Sequence, residues 1–131
     1  MSETNLRIAL DNHLYTMPNS PAVEWEGKFF EPNNAIYLSQ SLLAAETITV
    51  GIESGGADVL AGIYQVVVNI PKGTSRNTWL VELERVKTRF VRNTILTESG
   101  TRIVISNVWS SPMMTGGAYS SVPISIRYRA V

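Results

Sequence analysis

The stretch IYQVVVNI at residues 63–70 decides the fold class, together with the sequence PKGTS that follows it at residues 71–75. Apolar residues, most of them β-branched, occupy both alternating faces of the first stretch, and this pattern predicts a strand in the interior of a sheet. Pro71 and Gly73 end that strand, and Thr74 or Ser75 can cap a helix after it. A buried strand that leads directly into a helix predicts a protein with both sheet and helix.

Two segments have the apolar spacing of amphipathic helices, one near the N-terminus and one after Ser75. Pro18 and Pro21 end the first helix, and arginines gather near the C-terminal end of the second, where the helix dipole favours cations. The predicted buried stripe of the first helix comprises Leu6, Leu10, His13, Leu14 and Met17. The predicted buried stripe of the second comprises Trp79, Leu80, Leu83, Val86, Lys87 and Phe90.

Alternating apolar and polar residues predict four further strands, at residues 22–30, 36–45, 101–109 and 122–128. The glycine-rich residues 46–62 form either a long hairpin or a mobile loop, and residues 110–118 form a second glycine-bearing loop. The predicted order is α-β-β-β-α-β-β, without an internal repeat or a linker. We therefore expect residues 1–131 to form a single α+β domain whose mixed, mainly antiparallel sheet is flanked by two helices.

The composition excludes several classes of protein. The chain has 131 residues, of which 44% are hydrophobic and 17% are charged, so it can bury a core and is not intrinsically disordered. It contains no cysteine, which removes disulfides, thiol nucleophiles and cysteine metal ligands. No apolar run approaches the roughly 18–20 residues that cross a membrane, and the N-terminus does not resemble a secretory signal. These features predict a soluble intracellular protein with no membrane partner.

The net charge is zero, but the two halves of the chain differ. Residues 1–66 carry eight acidic and two basic side chains, a net charge of −6, whereas residues 67–131 carry nine basic and three acidic ones, a net charge of +6. Such a division suits a basic surface for an anionic partner, or two surfaces by which copies of the chain attract each other. Alternatively, the two halves of the chain interleave in space, and the electric fields of their opposite charges cancel.

The inventory of catalytic groups is small. His13 is the only histidine, so one chain contains neither a Ser-His-Asp triad nor a two-histidine metal site. The turn from Gly73 to Arg76 precedes a helix and is able to hold an anion, although a strand end followed by a helix cap explains the same residues. We expect no enzyme activity, no catalytic residue, no cofactor and no bound metal.

The remaining candidate residues suit a protein interface. Arg85, Arg89 and Arg92 follow i, i+4, i+7 spacing and predict one basic stripe along the second helix, or else a solvated surface. Met113 and Met114 stand in a glycine-bearing loop, where methionine favours adaptable contacts. The predicted subunit or tube interface comprises Arg76, Arg85, Arg89, Arg92, Glu46, Glu53, Asp58, Met113 and Met114.

Several segments in the same order resemble the tail terminator proteins of long-tailed bacteriophages and their prophages. These segments are LRIALDNHLYTM (residues 6–17), PAVEWEGKFFEP (21–32), YLSQSLLAAET (37–47), GIYQVVVNIPKGTS (62–75) and VPISIRYRA (122–130). The resemblance implies a mixed sheet flanked by helices and no bond chemistry. It also implies a ring, usually a hexamer, that caps the head-proximal end of the tail tube, ends tube polymerisation and offers a surface for head–tail joining.

The same resemblance implies the partners and the location of the protein. The partners are further copies of the chain, the tail-tube protein and a head-completion or connector protein, while DNA passes through the lumen without sequence-specific binding. The location is the virion tail, assembled in the bacterial host cytoplasm. Two alternatives stay open: a tail-tube or head–tail connector protein of related fold, and a small ligand-binding domain or enzyme that uses the turn from Gly73 to Arg76.

Overall fold

The computed structural model describes residues 3–18, 21–27, 30–31, 34–50 and 57–130. These residues form two helices and a six-stranded sheet, which confirms the predicted α+β class and the mainly antiparallel sheet. The elements are α1 (Glu3–Tyr15), β1 (Ala22–Glu24), β2 (Tyr37–Val50), β3 (Ala57–Pro71), α2 (Arg76–Arg89), β4 (Ile95–Glu98), β5 (Thr101–Ser110) and β6 (Tyr119–Ala130). None of the helices in these ranges is long and apolar enough to cross a membrane.

The strands are ordered β1-β2-β3-β6-β5-β4 across the sheet. β1 pairs with β2 in parallel, and every other neighbouring pair is antiparallel. β3 lies between β2 and β6, so the strand predicted from residues 63–70 is interior, as its apolar faces required. Cross-strand partners stand on the same face of a sheet, so the register shows which side chains lie together.

One face of the sheet carries the hydrophobic core, and both helices cover it. Tyr64 pairs with Ile126 and Val66 pairs with Ile124, and all four side chains are fully buried. From the helices, the buried apolar residues include Leu6, Leu10, Leu14, Val86 and Phe90. Burying a side chain of this size contributes roughly 1.5–3 kcal/mol relative to leaving it exposed. The predicted helix stripes therefore close the core, except that Leu80 of α2 is exposed and Trp79 is only partly buried.

The hairpin between β2 and β3 is longer than either predicted strand. Its pairing continues from Tyr37↔Asn69 to Val50↔Ala57, so the described part of residues 46–62 forms the long hairpin rather than a loop. A register shift lies between Leu43 and Glu46. This is the point at which the run LLAA breaks the alternation of apolar and polar residues, because a bulge inserts residues that have no cross-strand partner.

Two strands differ from the sequence prediction. The strand predicted for residues 22–30 ends at Glu24, and Gly27 then adopts a left-handed conformation with φ of 80°. The short strand β4 was not predicted. It pairs with β5 through a tight turn in which Ser99 and Gly100 both have positive φ, 48° and 84°, the geometry that two-residue hairpin turns require.

Candidate assembly surfaces

The sheet keeps the two oppositely charged halves of the chain apart. The strands β1 and β2 and most of β3 come from the acidic half, whereas β4, β5 and β6 come from the basic half. Because the order is β1-β2-β3-β6-β5-β4, each half of the sequence forms one side of the sheet. The strands therefore do not interleave, although α1, which comes from the acidic half, lies against β4 and β5. Within the sheet, one side is acidic and the other is basic.

Three arginines converge on the sheet face that the helices leave uncovered. Arg127 and Arg129 lie on β6 and are exposed, and Arg92 reaches the same place from the segment after α2. Together with Ala61, Val104 and Ser106 they line a groove of about 310 Å³, which we call the basic groove. The guanidinium carbon of Arg127 lies 5.8 Å from the ring centre of Trp109, a cation–π distance. Among the side chains that the structure describes, which do not include those of residues 44–50 and 57–60, no carboxylate forms an ion pair with any of the three arginines.

The acidic side ends in a strand edge and a projecting hairpin. β1 pairs with β2 only from Tyr37 to Ser39, so in the described part of the chain the rest of β2 has no strand on its outer edge. Glu46 stands opposite Ala61 and Asp58 stands opposite Thr49 in the β2–β3 hairpin. The third predicted acidic residue, Glu53, lies outside the described residues. An open strand edge and the two described acidic residues of the hairpin thus lie on the same side of the sheet.

Only part of the basic stripe predicted along α2 forms one surface, since Arg85 and Arg89 line the same depression beside Met17 but Arg92 does not. The helix ends at Arg89, so Arg92 lies beyond it and faces the basic groove instead. Arg85 forms a two-oxygen contact with Glu82, at 3.0 and 3.1 Å, as its i, i+3 spacing predicts. The predicted i, i+7 position of Arg92 is wrong, because α2 ends before Phe90 and only a continuing helix would bring Arg92 to the face of Arg85.

Arg89 joins the two helices. Its Nε donates to the backbone carbonyl of His13 at 2.9 Å, and its Nη2 donates to the Thr16 hydroxyl at 2.8 Å. In return, His13 Nε2 lies 2.6 Å from the Arg89 carbonyl, and since a carbonyl only accepts, Nε2 carries the proton. The His13 ring packs edge-on against Phe90 at 4.9 Å. Arg89 is therefore a structural residue of the helix junction, and it stays a candidate interface residue.

Burial shifts the pKa of two side chains of α1, Asp11 and His13. The Tyr64 hydroxyl donates to Asp11 Oδ1 at 2.7 Å, and desolvation raises the pKa of Asp11 above its usual value despite that hydrogen bond. At the helix junction, desolvation lowers the pKa of His13, so the ring stays neutral at pH 7. Arg7 lies 3.7 Å from Glu26, whose other carboxylate oxygen accepts the Leu42 N–H at 3.2 Å. These contacts tie α1 to β3 and to the segment after β1, while the helix itself lies against β4 and β5.

Comparison with known proteins identifies the family. The family model described as "Phage tail terminator protein" matches residues 5–128. The chain belongs to the phage tail terminator family. A solved structure superposes on it with a TM-score of 0.74 at 25% sequence identity, and the match covers 100% of this chain and 96% of the other. No curated protein sequence matches the chain.

Membership of the tail terminator family gives the protein a structural role in a phage tail. It is a family of structural proteins rather than enzymes, and the tail is part of the virion. The sites that the fold brings together agree with such a role. They are a cluster of arginines and an acidic hairpin, which suit contacts between proteins. The assembly surfaces are therefore the functional sites to consider in this tail terminator.

The turn before α2 is explained by the fold alone. Gly73 adopts a left-handed conformation with φ of 91°, and Thr74 Oγ1 donates to the Pro71 carbonyl at 2.8 Å. Ser75 occupies the N-cap position as predicted, but its hydroxyl contacts Thr78 Oγ1 at 2.7 Å instead of a backbone N–H. Arg76 is exposed at the first position of the helix. In this tail terminator the turn ends a strand and starts a helix, and Arg76 stays a candidate interface residue.

The two methionines predicted as contact residues differ in environment. Met113 is partly buried against the core, whereas Met114 is 59% exposed. The Met114 N–H and carbonyl both bond to Ser121, at 2.8 Å each, so the backbone of the loop is fixed to β6. A fixed backbone with an exposed, adaptable side chain suits a contact surface, and Met114 is the better candidate of the two.

Arg127 and Arg129 are functional candidates that the sequence pattern did not predict. A signal for them was present in the run RYRA at residues 127–130, in which exposed arginines alternate with the buried Tyr128 and Ala130. Arg92 is more than 30 residues away in the chain, and only the pairing of β5 with β6 brings the three together. The sequence pattern does not specify the order of the strands, so it could not predict that these three arginines lie together.

Proposed function

We propose that this tail terminator closes into a ring, a hexamer, at the head-proximal end of the tail tube. There it ends tube polymerisation and presents the surface to which a head-completion or connector protein binds. DNA passes through the lumen without sequence-specific recognition. The protein assembles in the cytoplasm of the bacterial host and stays in the tail of the finished virion.

One observation carries the proposal beyond family membership: the separation of acidic and basic strands on opposite sides of one sheet. A ring closes through head-to-tail contacts, in which one surface of each subunit meets a different surface of the next. Such contacts require two unlike and complementary surfaces on every copy. Opposite charges also accelerate the encounter of two copies and favour the correct orientation.

The candidate interface residues divide accordingly. Glu46 and Asp58 belong to the acidic side, and Arg92 belongs to the basic side. Arg76 and Met114 are exposed outside both charged surfaces and are candidates for contact with the tube or the connector. Arg85 and Arg89, which already have partners within the chain, have a smaller part.

The decisive experiment is a tube-growth assay. Tubes of the tail-tube protein from the same phage are polymerised with and without this protein, and their lengths are measured by negative-stain electron microscopy. We expect shorter tubes of narrower length distribution, each with a distinct cap at one end. Unchanged tube lengths, or incorporation of the protein along the whole tube, would contradict the proposal, and the second result would favour a tube protein.

A further inference from the structure

We propose that a pocket between α1 and β2 binds the side chain of Arg76 from a second copy of this chain. The pocket has a volume of about 420 Å³ and is named here the α1–β2 pocket. It is lined by Arg7, Asp11, Asn12, Tyr15, Trp25, Glu26 and Gln40. The inference rests on the proposed assembly of several copies, and it assigns Arg76 to a neighbouring copy rather than to the tube or the connector.

Gln40 is the residue of this pocket that the fold explains least. It stands opposite Val66 on the sheet face that the helices cover, and only 8% of it is exposed. Its side-chain amide has no hydrogen-bond partner among the described residues. A buried amide without a hydrogen bond is unfavourable, so this one requires water or a ligand in the pocket. A leucine would fill the same place without that cost.

The pocket also contains two carboxylates and one arginine. The Tyr64 hydroxyl donates to Oδ1 of Asp11, and Oδ2 has no hydrogen-bond partner among the described residues. Glu26 uses both of its oxygens, one of them 3.7 Å from Arg7 and the other as the acceptor for the Leu42 N–H. Oδ2 of Asp11 is therefore the acceptor available to a ligand. Desolvation raises the pKa of Asp11, and a cation beside it would offset the cost of burying the charge.

Two aromatic rings form a wall of the pocket. Tyr15 is 71% exposed, and its ring centre lies 6.3 Å from that of Trp25. Aromatic faces attract cations, and a planar guanidinium stacks on them while its edge donates hydrogen bonds. An arginine side chain therefore matches three features of the pocket at once: the aromatic wall, the Asp11 carboxylate and the amide oxygen of Gln40. A lysine ammonium has no plane that stacks on the rings.

Arg76 is exposed where its own copy gives it no favourable contact. It stands at the first position of α2, where the positive end of the helix dipole disfavours a cation, and the first turn contains no acidic residue. Among the side chains that the structure describes, none forms an ion pair or a hydrogen bond with its guanidinium. A pocket with carboxylates and aromatic rings on a neighbouring copy would supply that contact. Because pocket and guest are different surfaces, the contact is head to tail.

The first experiment tests the pocket with N-acetyl-arginine amide as the probe. We expect a Kd of about 1 mM, measured from the shifts of the Gln40 side-chain amide and the Trp25 indole N–H in proton–nitrogen correlation spectra. The neutral isostere N-acetyl-citrulline amide should bind at least about tenfold more weakly, because it lacks the charge. Equal binding of the two probes overturns the inference. Absence of any shift also overturns it and leaves water as the only occupant of the pocket.

Two pocket variants and a matched control locate the binding. Gln40→Leu and Asp11→Asn should each weaken probe binding at least about tenfold, whereas Gln65→Leu, on the opposite face of the sheet, should not. Asp11→Asn keeps an acceptor for the Tyr64 hydroxyl. Gln40→Leu should unfold no more easily than the wild type, because it replaces a buried amide that lacks a partner. Wild-type affinity of Gln40→Leu for the probe would show that the amide takes no part in binding and that the inference is wrong.

A second comparison tests the guest. Arg76→Gln should weaken self-association at least about tenfold in sedimentation velocity, and so should Gln40→Leu. Lys72→Gln removes one positive charge from an exposed position four residues earlier and should associate as the wild type does. Unchanged self-association of Arg76→Gln overturns the inference even when the pocket binds the probe, because the arginine then belongs to another protein.

The results separate this contact from the ring. If Arg76→Gln forms closed rings as the wild type does, the contact is wrong and the ring proposal stands. If the wild type associates only into open filaments, and both Arg76→Gln and Gln40→Leu abolish that association, the contact stands and the ring proposal is wrong. A wild type that stays monomeric at every concentration contradicts both.

Discussion

The two faces of the sheet are built in opposite ways. On the face covered by α1 and α2, apolar side chains are buried and polar groups such as the Tyr64 hydroxyl and the Arg89 guanidinium have partners within the chain. On the other face, Arg127 and Arg129 are exposed to solvent. The covered face stabilises the fold of the subunit, and the open face is available for contacts with other molecules. Substitutions on the two faces should therefore affect different measurements.

Phe90→Ala should cause the largest loss of unfolding free energy, because it leaves a cavity in the core beneath the helices. Phe90 is fully buried and contacts both His13, at 4.9 Å, and Tyr64, at 5.9 Å between ring centres. Removing a buried phenylalanine side chain costs about 3–5 kcal/mol of unfolding free energy. Urea denaturation followed by circular dichroism measures the loss. The adjacent Val91→Ala is the control, since Val91 is 52% exposed and should cost much less.

Arg89→Ala should have the second largest effect on stability. It removes the hydrogen bonds that connect α2 to His13 and Thr16, and bonds from a charged donor contribute roughly 1.5–3 kcal/mol. Arg92→Ala, three residues later but on the open face, should change the unfolding free energy by no more than about 0.5 kcal/mol. Equal losses in the two variants would contradict the assignment of Arg89 to the fold and Arg92 to the surface.

His13 should make the helix junction sensitive to acid. Desolvation lowers its pKa in the folded state below the unfolded value of about 6.5. The unfolded chain therefore takes up a proton more readily, and the stability that neutral His13 provides is lost as the pH falls through its folded pKa. His13→Gln keeps an N–H donor for the Arg89 carbonyl but does not titrate. The difference in unfolding free energy between wild type and variant should shrink from pH 7.5 towards pH 5, and a constant difference would contradict this.

Shortening the β2–β3 hairpin should have the smallest effect on stability. Replacing residues 48–59 with Asn-Gly joins Thr47 to Leu60, which are cross-strand partners, through a favoured two-residue turn. Within the part of the chain that the structure describes, the removed strand residues pair only with each other, so the unfolding free energy should change by less than about 1 kcal/mol. Self-association should nevertheless be lost in sedimentation velocity. A large loss of stability would show that the hairpin belongs to the folded core.

Local patterns in the sequence predicted the covered face well. The interior position of β3 follows from apolar residues on both of its faces, and the helix stripes follow from their 3.6-residue spacing. The strand β4 was missed because it has only four residues and depends on the positive φ angles of Ser99 and Gly100, which an apolar pattern does not encode.

The open face was harder to predict, because its sites join residues that are distant in the chain. The spacing of a helix predicted that Arg89 and Arg92 lie together. It could not predict the hydrogen bond between Arg89 and His13, because these residues are 76 positions apart in the sequence. The same limitation hid the basic groove, which combines Arg92 with two arginines of β6. The division of charge between the two halves of the chain was visible in the sequence. Only the order of the strands shows that the two halves form opposite sides of the sheet.

The most direct test of the account is negative-stain electron microscopy of the purified wild-type protein over a concentration series, alone and with preformed tubes of its tail-tube protein. We expect closed rings of a single diameter, either free or bound at one end of each tube, and sedimentation that reaches one defined oligomer. Open filaments that lengthen with concentration, or the absence of both rings and capped tube ends at every concentration, would contradict the account.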